Sequence, residues 1–168
     1  GIVTLYLLDG RTLMLKNYLF TFLLSMVPVI ELRGAIPYGL AHDLEPWLVY
    51  ALSVVGNLLP VPFILLFVRR VLAWMKTRPR LCRLAEKIEA RGRSKSKKVK
   101  KSETVGLCLF VAIPLPGTGA WTGALVAALM EMRLMRALPT IFLGVLLAGL
   151  AVTLIMTLGI TALDFLVG

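Results

Sequence analysis

Three stretches of this chain run without a charge for longer than a bilayer is thick: Pro46–Val68 (23 residues), Thr104–Met130 (27) and Ala137–Leu163 (27). A helix crosses ~30 Å of hydrocarbon with about 20 apolar residues. A soluble domain of 168 residues would have to bury all three runs inside one core, which a chain of this size cannot do. With 58% hydrophobic residues, 17% charged and a mean hydropathy of +0.85, the sequence predicts an all-α integral membrane protein.

The net charge of +10 would suit a nucleic-acid binder if it were spread over a surface. Instead, residues 69–103 hold 14 of the 19 Lys and Arg against three acids, and the rest of the chain has five bases facing six acids. Basicity confined to one loop of a membrane protein marks the cytoplasmic side, so the expectation is a multi-pass protein of the inner (plasma) membrane, not a partner of nucleic acid. Cys82 and Cys108 then lie in or beside a reducing compartment, where a disulfide is not expected. One His and no CxxC leave no metal-ligand spacing. No nucleophile–base pair, carboxylate dyad or phosphate loop stands out, so neither an enzyme nor a cofactor is expected.

Four apolar blocks, 17–41, 46–68, 104–130 and 137–163, are divided two and two by the basic loop. They read as one membrane domain over 1–168, with repeat halves at 17–68 and 104–163. Sliding the chain by 86 places Pro28 over Pro114 and Glu45 over Glu131. In each half a block broken by Pro and Gly precedes an unbroken one, the order found in inverted-repeat transporters. Gly144 and Gly149 in the last block offer a small-residue seam to a neighbouring helix, and Asn57 in the second an interhelical hydrogen bond. Residues 1–13 do not resemble a cleaved signal peptide, because Asp9 and Arg11 follow the short apolar run, and Met14 is a possible start.

Block 104–130 is either a single kinked span or a re-entrant hairpin. Pro114 and Pro116 remove backbone donors, and Gly117, Gly119 and Gly123 permit a sharp turn. A hairpin keeps Arg133 and Arg136 on the cytoplasmic side, which favours it. Its arms, about 10 to 13 residues at ~1.5 Å each, reach only about half of the hydrocarbon. The first block, broken by Pro28, Gly34, Pro37 and Gly39, is expected to form the matching hairpin from the opposite face, although Arg11 and Lys16 then fall outside against the charge rule.

Glu31 and Arg33 carry the sharpest functional signal, because they lie three and five residues past Pro28 in an otherwise apolar block. An ionisable group at membrane depth costs ~2.5–3.5 kcal/mol on insertion scales, and such groups mark pathways and sites. The alternatives are a structural ion pair or a headgroup anchor. At the second break, Gly117 and Gly119 let the backbone approach an anion closely while Thr118 and Thr122 add neutral donors, or the same glycines serve packing alone. Trp121 is either a stacking surface or an interfacial residue. In the basic loop Arg80, Arg83, Lys87 and Arg91 alternate with Leu81, Leu84, Ala85 and Ile88, the pattern of an amphipathic helix on anionic inner-leaflet lipid, and Arg93–Lys101 is a solvated charge run.

Pro28-x-x-Glu31-Leu-Arg-Gly-Ala-Ile-Pro-Tyr-Gly39 and Pro114-Leu-Pro-Gly-Thr-Gly-Ala-Trp-Thr-Gly-Ala124 resemble the small multi-drug export proteins, a branch of the DedA (VTT, SNARE-associated) superfamily. The likeness spans residues 15–165. It implies two oppositely oriented re-entrant hairpins braced by transmembrane helices. DedA relatives are associated with moving undecaprenyl phosphate and eukaryotic ones with scrambling phospholipids, which implies lipid translocation, whereas the branch name implies drug efflux. Glu31 resembles the acidic residue of the first DedA hairpin and Pro37 its proline. The two arginines of the second DedA hairpin have no counterpart in Phe110–Gly119, which leaves Arg33, Arg133, Arg136 and backbone amides to hold a phosphate.

The expected function is therefore a transporter, ion- or proton-coupled, of an amphiphilic anionic lipid such as undecaprenyl phosphate or a phospholipid. Glu31 would bind the coupling ion, and Arg33 with the Gly117–Gly119 amides the head group. The alternatives are a proton-coupled exporter of lipophilic cations and a non-transporting, lipid-organising protein. A chain this small is also expected to be a candidate for a symmetric homo-oligomer.

Overall fold

A computed structural model describes residues 2–96 and 100–167, with side-chain surroundings set aside at 2–9, 80, 88–89, 91–102 and 163–167. All regular structure among the described residues is helical: α1 (Ile2–Met26), α2 (Glu31–Ala41), α3 (Pro46–Leu58), α4 (Val61–Lys76), α5 (Pro79–Ser96), α6 (Lys100–Ala112), α7 (Ala120–Leu129) and α8 (Leu134–Val167). The stretches Pro46–Lys76 and Leu134–Ala162 are long and apolar enough to cross a membrane. The first, expected to be unbroken, is notched at Leu59–Pro60, where Pro60 cannot donate the next helical hydrogen bond. Large apolar side chains point outward along α4 (Phe63, Leu66, Phe67) and α8 (Phe142, Leu143, Leu154, Ile155, Leu158), as a lipid-facing surface requires and a water-facing one avoids.

The chain divides into two compact units, Gly1–Asn57 with Ala148–Gly168, and Leu58–Leu147, and α8 contributes its first part to the second unit and the remainder to the first. In the first unit the chain turns at residues 27–30, and α2 folds back along α1. Two contacts show the reversal: Gly39 lies against Thr21, and Tyr38 packs on Phe20 with ring centroids 4.9 Å apart. At the far end of α2 the chain reverses again, and α3 returns with Val49 against Gly39. Polar side chains on the buried face of α1 are satisfied within the helix. Thr21 donates its hydroxyl to the Asn17 carbonyl (2.8 Å) and Ser25 to that of Phe22 (2.6 Å). On α3, Ser53 and Asn57 are fully buried, and neither the hydroxyl nor either amide atom has a hydrogen-bond partner among the described residues. The interhelical bond expected of Asn57 is thus not made.

The second unit is built on α7, whose buried face is Ala120, Gly123, Ala124, Ala127 and Ala128. Side chains this small let neighbouring backbones approach closely, the packing that membrane helices use where no hydrophobic driving force separates helix from lipid. α4 lies along this face with Val61, Ile64 and Leu65 buried. α7 also folds back on α6, with Gly123 against Val111 and Leu107. Residues 104–130 therefore form a helical hairpin and not one kinked helix. The glycines of α8 that were expected to form one seam serve two helices: Gly144 meets Val111 and the Cys108 carbonyl of α6, and Gly149 meets Tyr50 and Val54 of α3. α5 packs on α4 and α7 with Ala85 fully buried, while Arg83, Leu84 and Lys87 face outward. The side chains of Arg80, Ile88, Arg91 and the run Arg93–Lys101 lie outside the described residues.

Candidate functional site

The break between α1 and α2 is made by Pro28, whose ring removes a donor and disfavours a helical Val27 before it. Val29 (φ 75°) and Glu31 (φ 50°) adopt left-handed backbone, a conformation that costs a β-branched residue such as valine on the order of 1–3 kcal/mol. The reversal puts Glu31 at the first position of α2, its amide held by the Val27 carbonyl (3.0 Å). A carboxylate there faces the positive end of the α2 dipole. Arg33 Nη1 donates to Glu31 Oε2 at 2.9 Å, with only 11% of the arginine side chain and 4% of the glutamate side chain exposed. The two charges that the sequence singled out therefore form a buried pair. Of the residues expected to break the first block, only Pro28 does so. Gly34, Pro37 and Gly39 lie inside α2, because an 11-residue helix tolerates one missing hydrogen bond at Pro37, and Gly39 serves the close approach of Val49 and Thr21.

The second break, residues 113–119, is carried by Pro114, Pro116 and Gly117. Gly117 has φ +82°, which a side chain would strain. The Thr118 hydroxyl lies 2.8 Å from the Ile113 carbonyl and 2.9 Å from that of Leu115, so it ties the turn together and is not held open for a ligand. Ile113, Pro114, Leu115, Pro116 and Gly117 are exposed. Gly119 is the extended cap of α7 and makes no side-chain capping bond, while Trp121 and Thr122 are half-buried in its first turn. Gly123 lies inside α7 and packs on Val111, which corrects its assignment as a breaker.

Arg133 and Arg136 lie at the opposite end of α7 from that turn, a helix length of roughly 15 Å away. They do not share a site with Gly117–Gly119. Both are exposed and line a cavity of about 370 Å³ together with Glu103, Thr104, Met130, Glu131 and Met132. Neither arginine forms an ion pair among the described residues. One carboxylate oxygen of Glu103 is buried and has no hydrogen-bond partner among the described residues. Reading the sequence missed Glu103, hidden as one acid at the end of a basic run, and valued Glu131 only for its place in the repeat.

The expected site residues thus fall into three places: Glu31 and Arg33 in the first unit, and the 113–122 turn and the Arg133–Arg136 cavity at the two ends of α7 in the second. Residues 31–151 match the family described as "Putative small multi-drug export protein", and no curated protein or solved structure matches the chain significantly. The matched region, well over half of the chain, contains the Glu31–Arg33 pair, the α6–α7 break and the first half of α8. The protein is a helical membrane protein that belongs to this small multi-drug export family.

Proposed function

We propose that the protein is a carrier, not an enzyme, which moves an amphiphilic anion, an anionic lipid such as undecaprenyl phosphate or a phospholipid, together with a proton. The observation that carries this reading is the Glu31–Arg33 pair, 2.9 Å apart and buried where the first hairpin breaks. A charge-assisted hydrogen bond of this kind holds while both partners are ionised. When Glu31 takes a proton the bond loses most of its strength, and a buried guanidinium without its counter-ion is then driven to find another anion. A phosphate head group satisfies it, and loss of the proton from Glu31 expels the head group. Each hairpin is proposed to dip into the bilayer and return to the side it came from, since α2, α6, α7 and the uncharged part of α1 beyond Lys16, with 11, 13, 10 and 10 residues, rise about 15 to 20 Å and fall short of ~30 Å. The basic loop lies in the cytoplasm, against anionic lipid.

Transport into proteoliposomes under a proton gradient tests the coupling. Arg33→Ala should lower the rate at least tenfold, and Glu31→Gln should leave uptake that no longer responds to the gradient. Unimpaired, gradient-driven activity in both variants would overturn the mechanism. The topology is tested separately by thiol labelling. Cysteines at Lys16 and Asp43 should react from one common side and a cysteine at Arg133 from the side of the basic loop, whereas labelling of 16 and 43 from different sides would make the first hairpin a span.

The family description favours a second reading, export of lipophilic cations in which Glu31 alternates between proton and drug. Here Arg33 competes with the cargo. Ethidium efflux lost in Glu31→Gln but kept or raised in Arg33→Ala would decide for it.

A further inference from the structure

We propose that the base of the α6–α8 pair holds a lipid whose head group joins a phosphate to a primary ammonium, at a site separate from Glu31 and independent of the transport cycle. Two adjoining spaces make the site. The polar cavity of about 370 Å³ carries two acids, Glu103 and Glu131, and two guanidinium groups, Arg133 and Arg136, of which the arginines pair with no acid among the described residues. Beside it runs an apolar groove of about 460 Å³ between α6 and α8, walled by residues such as Val105, Leu109, Met135, Pro139 and Leu143. Thr104 and Arg136 line both spaces, so a molecule with its charged end in the first can lay a hydrocarbon chain in the second.

The chemistry of the lining selects the head group. A simple anion would be drawn by the arginines but repelled by two carboxylates, and a simple cation would meet the reverse. A zwitterion matches both, and the volume lies within the usual range of ~300–1,000 Å³ for small-molecule sites. Arg133 precedes α8 and caps it, its carbonyl accepting from the Arg136 and Ala137 amides, and Arg136 lies in the first turn, so both guanidinium groups border the one cavity where a phosphate would sit. The buried oxygen of Glu103 needs a hydrogen-bond donor. A primary ammonium supplies N–H groups, and a quaternary ammonium has none to give. An aminophospholipid is therefore preferred over both its choline counterpart and an anionic lipid.

Cys108 also lines the groove and is a native reporter. In the full chain with Cys82→Ser, maleimide labelling of Cys108 in nanodiscs should slow at least fivefold when phosphatidylethanolamine replaces phosphatidylglycerol or phosphatidylcholine. Soluble phosphoethanolamine, which lacks the chain, should not protect. Glu103→Gln should reduce the preference for the primary amine, and Arg133→Gln with Arg136→Gln should abolish protection. Equal protection by the three lipids, protection by phosphoethanolamine alone, or protection indifferent to these substitutions would each overturn the proposal. Because the readout is labelling, it is decided whether or not the Glu31 variants alter transport.

Discussion

Replacing Arg33 by methionine should destabilise the protein by about 3–5 kcal/mol, the usual cost of leaving one member of a buried ion pair without its partner. Glu31 is 3% exposed and accepts from Arg33 Nη1 at 2.9 Å, so little water can take the place of that donor. The pairing also predicts a non-additive result. Glu31→Gln together with Arg33→Met removes both charges, and the double variant should be more stable than Arg33→Met alone by at least 1 kcal/mol, within the usual coupling range of roughly 0.5–3 kcal/mol. Denaturation in a fixed detergent, followed by circular dichroism, reads both values. A double variant destabilised by as much as Arg33→Met and Glu31→Gln together would show that the charges are not energetically joined.

The second large effect is expected at Gly56. A methyl group built there would clash with Ser25 Oγ and fall 2.7 Å from the Phe22 carbonyl oxygen. The hydroxyl can rotate away, but the carbonyl belongs to the backbone of α1. α3 must therefore move off α1, and overpacking of this kind typically costs ~1–3 kcal/mol. Gly56→Ala should lie in that range and Gly56→Leu should exceed it. Ser25→Ala should restore only part of the loss in Gly56→Ala, because it removes the hydroxyl and leaves the carbonyl in place. Full rescue would mean that the side chain alone sets the approach of the two helices.

Much of this was legible in the residues. Pro28, Pro114 and Pro116 announced the two breaks, although Pro37 and Pro139 lie inside helices that tolerate the missing donor. Glu31 and Arg33 were conspicuous because charges are rare in apolar blocks, and their spacing of two residues allowed a pair. Glycine was a poorer guide. Gly34, Gly39 and Gly123 were read as breaks, but in a membrane protein the same residue is used inside helices wherever two backbones meet, and sequence does not separate the uses. The opening of α1 was also hidden, since Asp9, Gly10 and Arg11 interrupt its apolar run although the helix continues through them. Nor could the chain reveal that Arg133 and Arg136 stand with Glu103, about 30 residues earlier, and not with the Gly117 turn. Proximity along the sequence pointed to one cluster where the length of α7 enforces two.

The pairing of Glu31 with Arg33 has an electrical consequence. Two opposite charges 2.9 Å apart sum to zero, so the resting membrane potential exerts almost no net force on the first hairpin. A proton added to Glu31 leaves one positive charge, worth about 2.3 kcal/mol for each 100 mV of field it crosses. Under the proposed cycle a singly charged head group then cancels that charge, so voltage would act on the step in which the proton has bound and the head group has not, and the loaded carrier would carry no current.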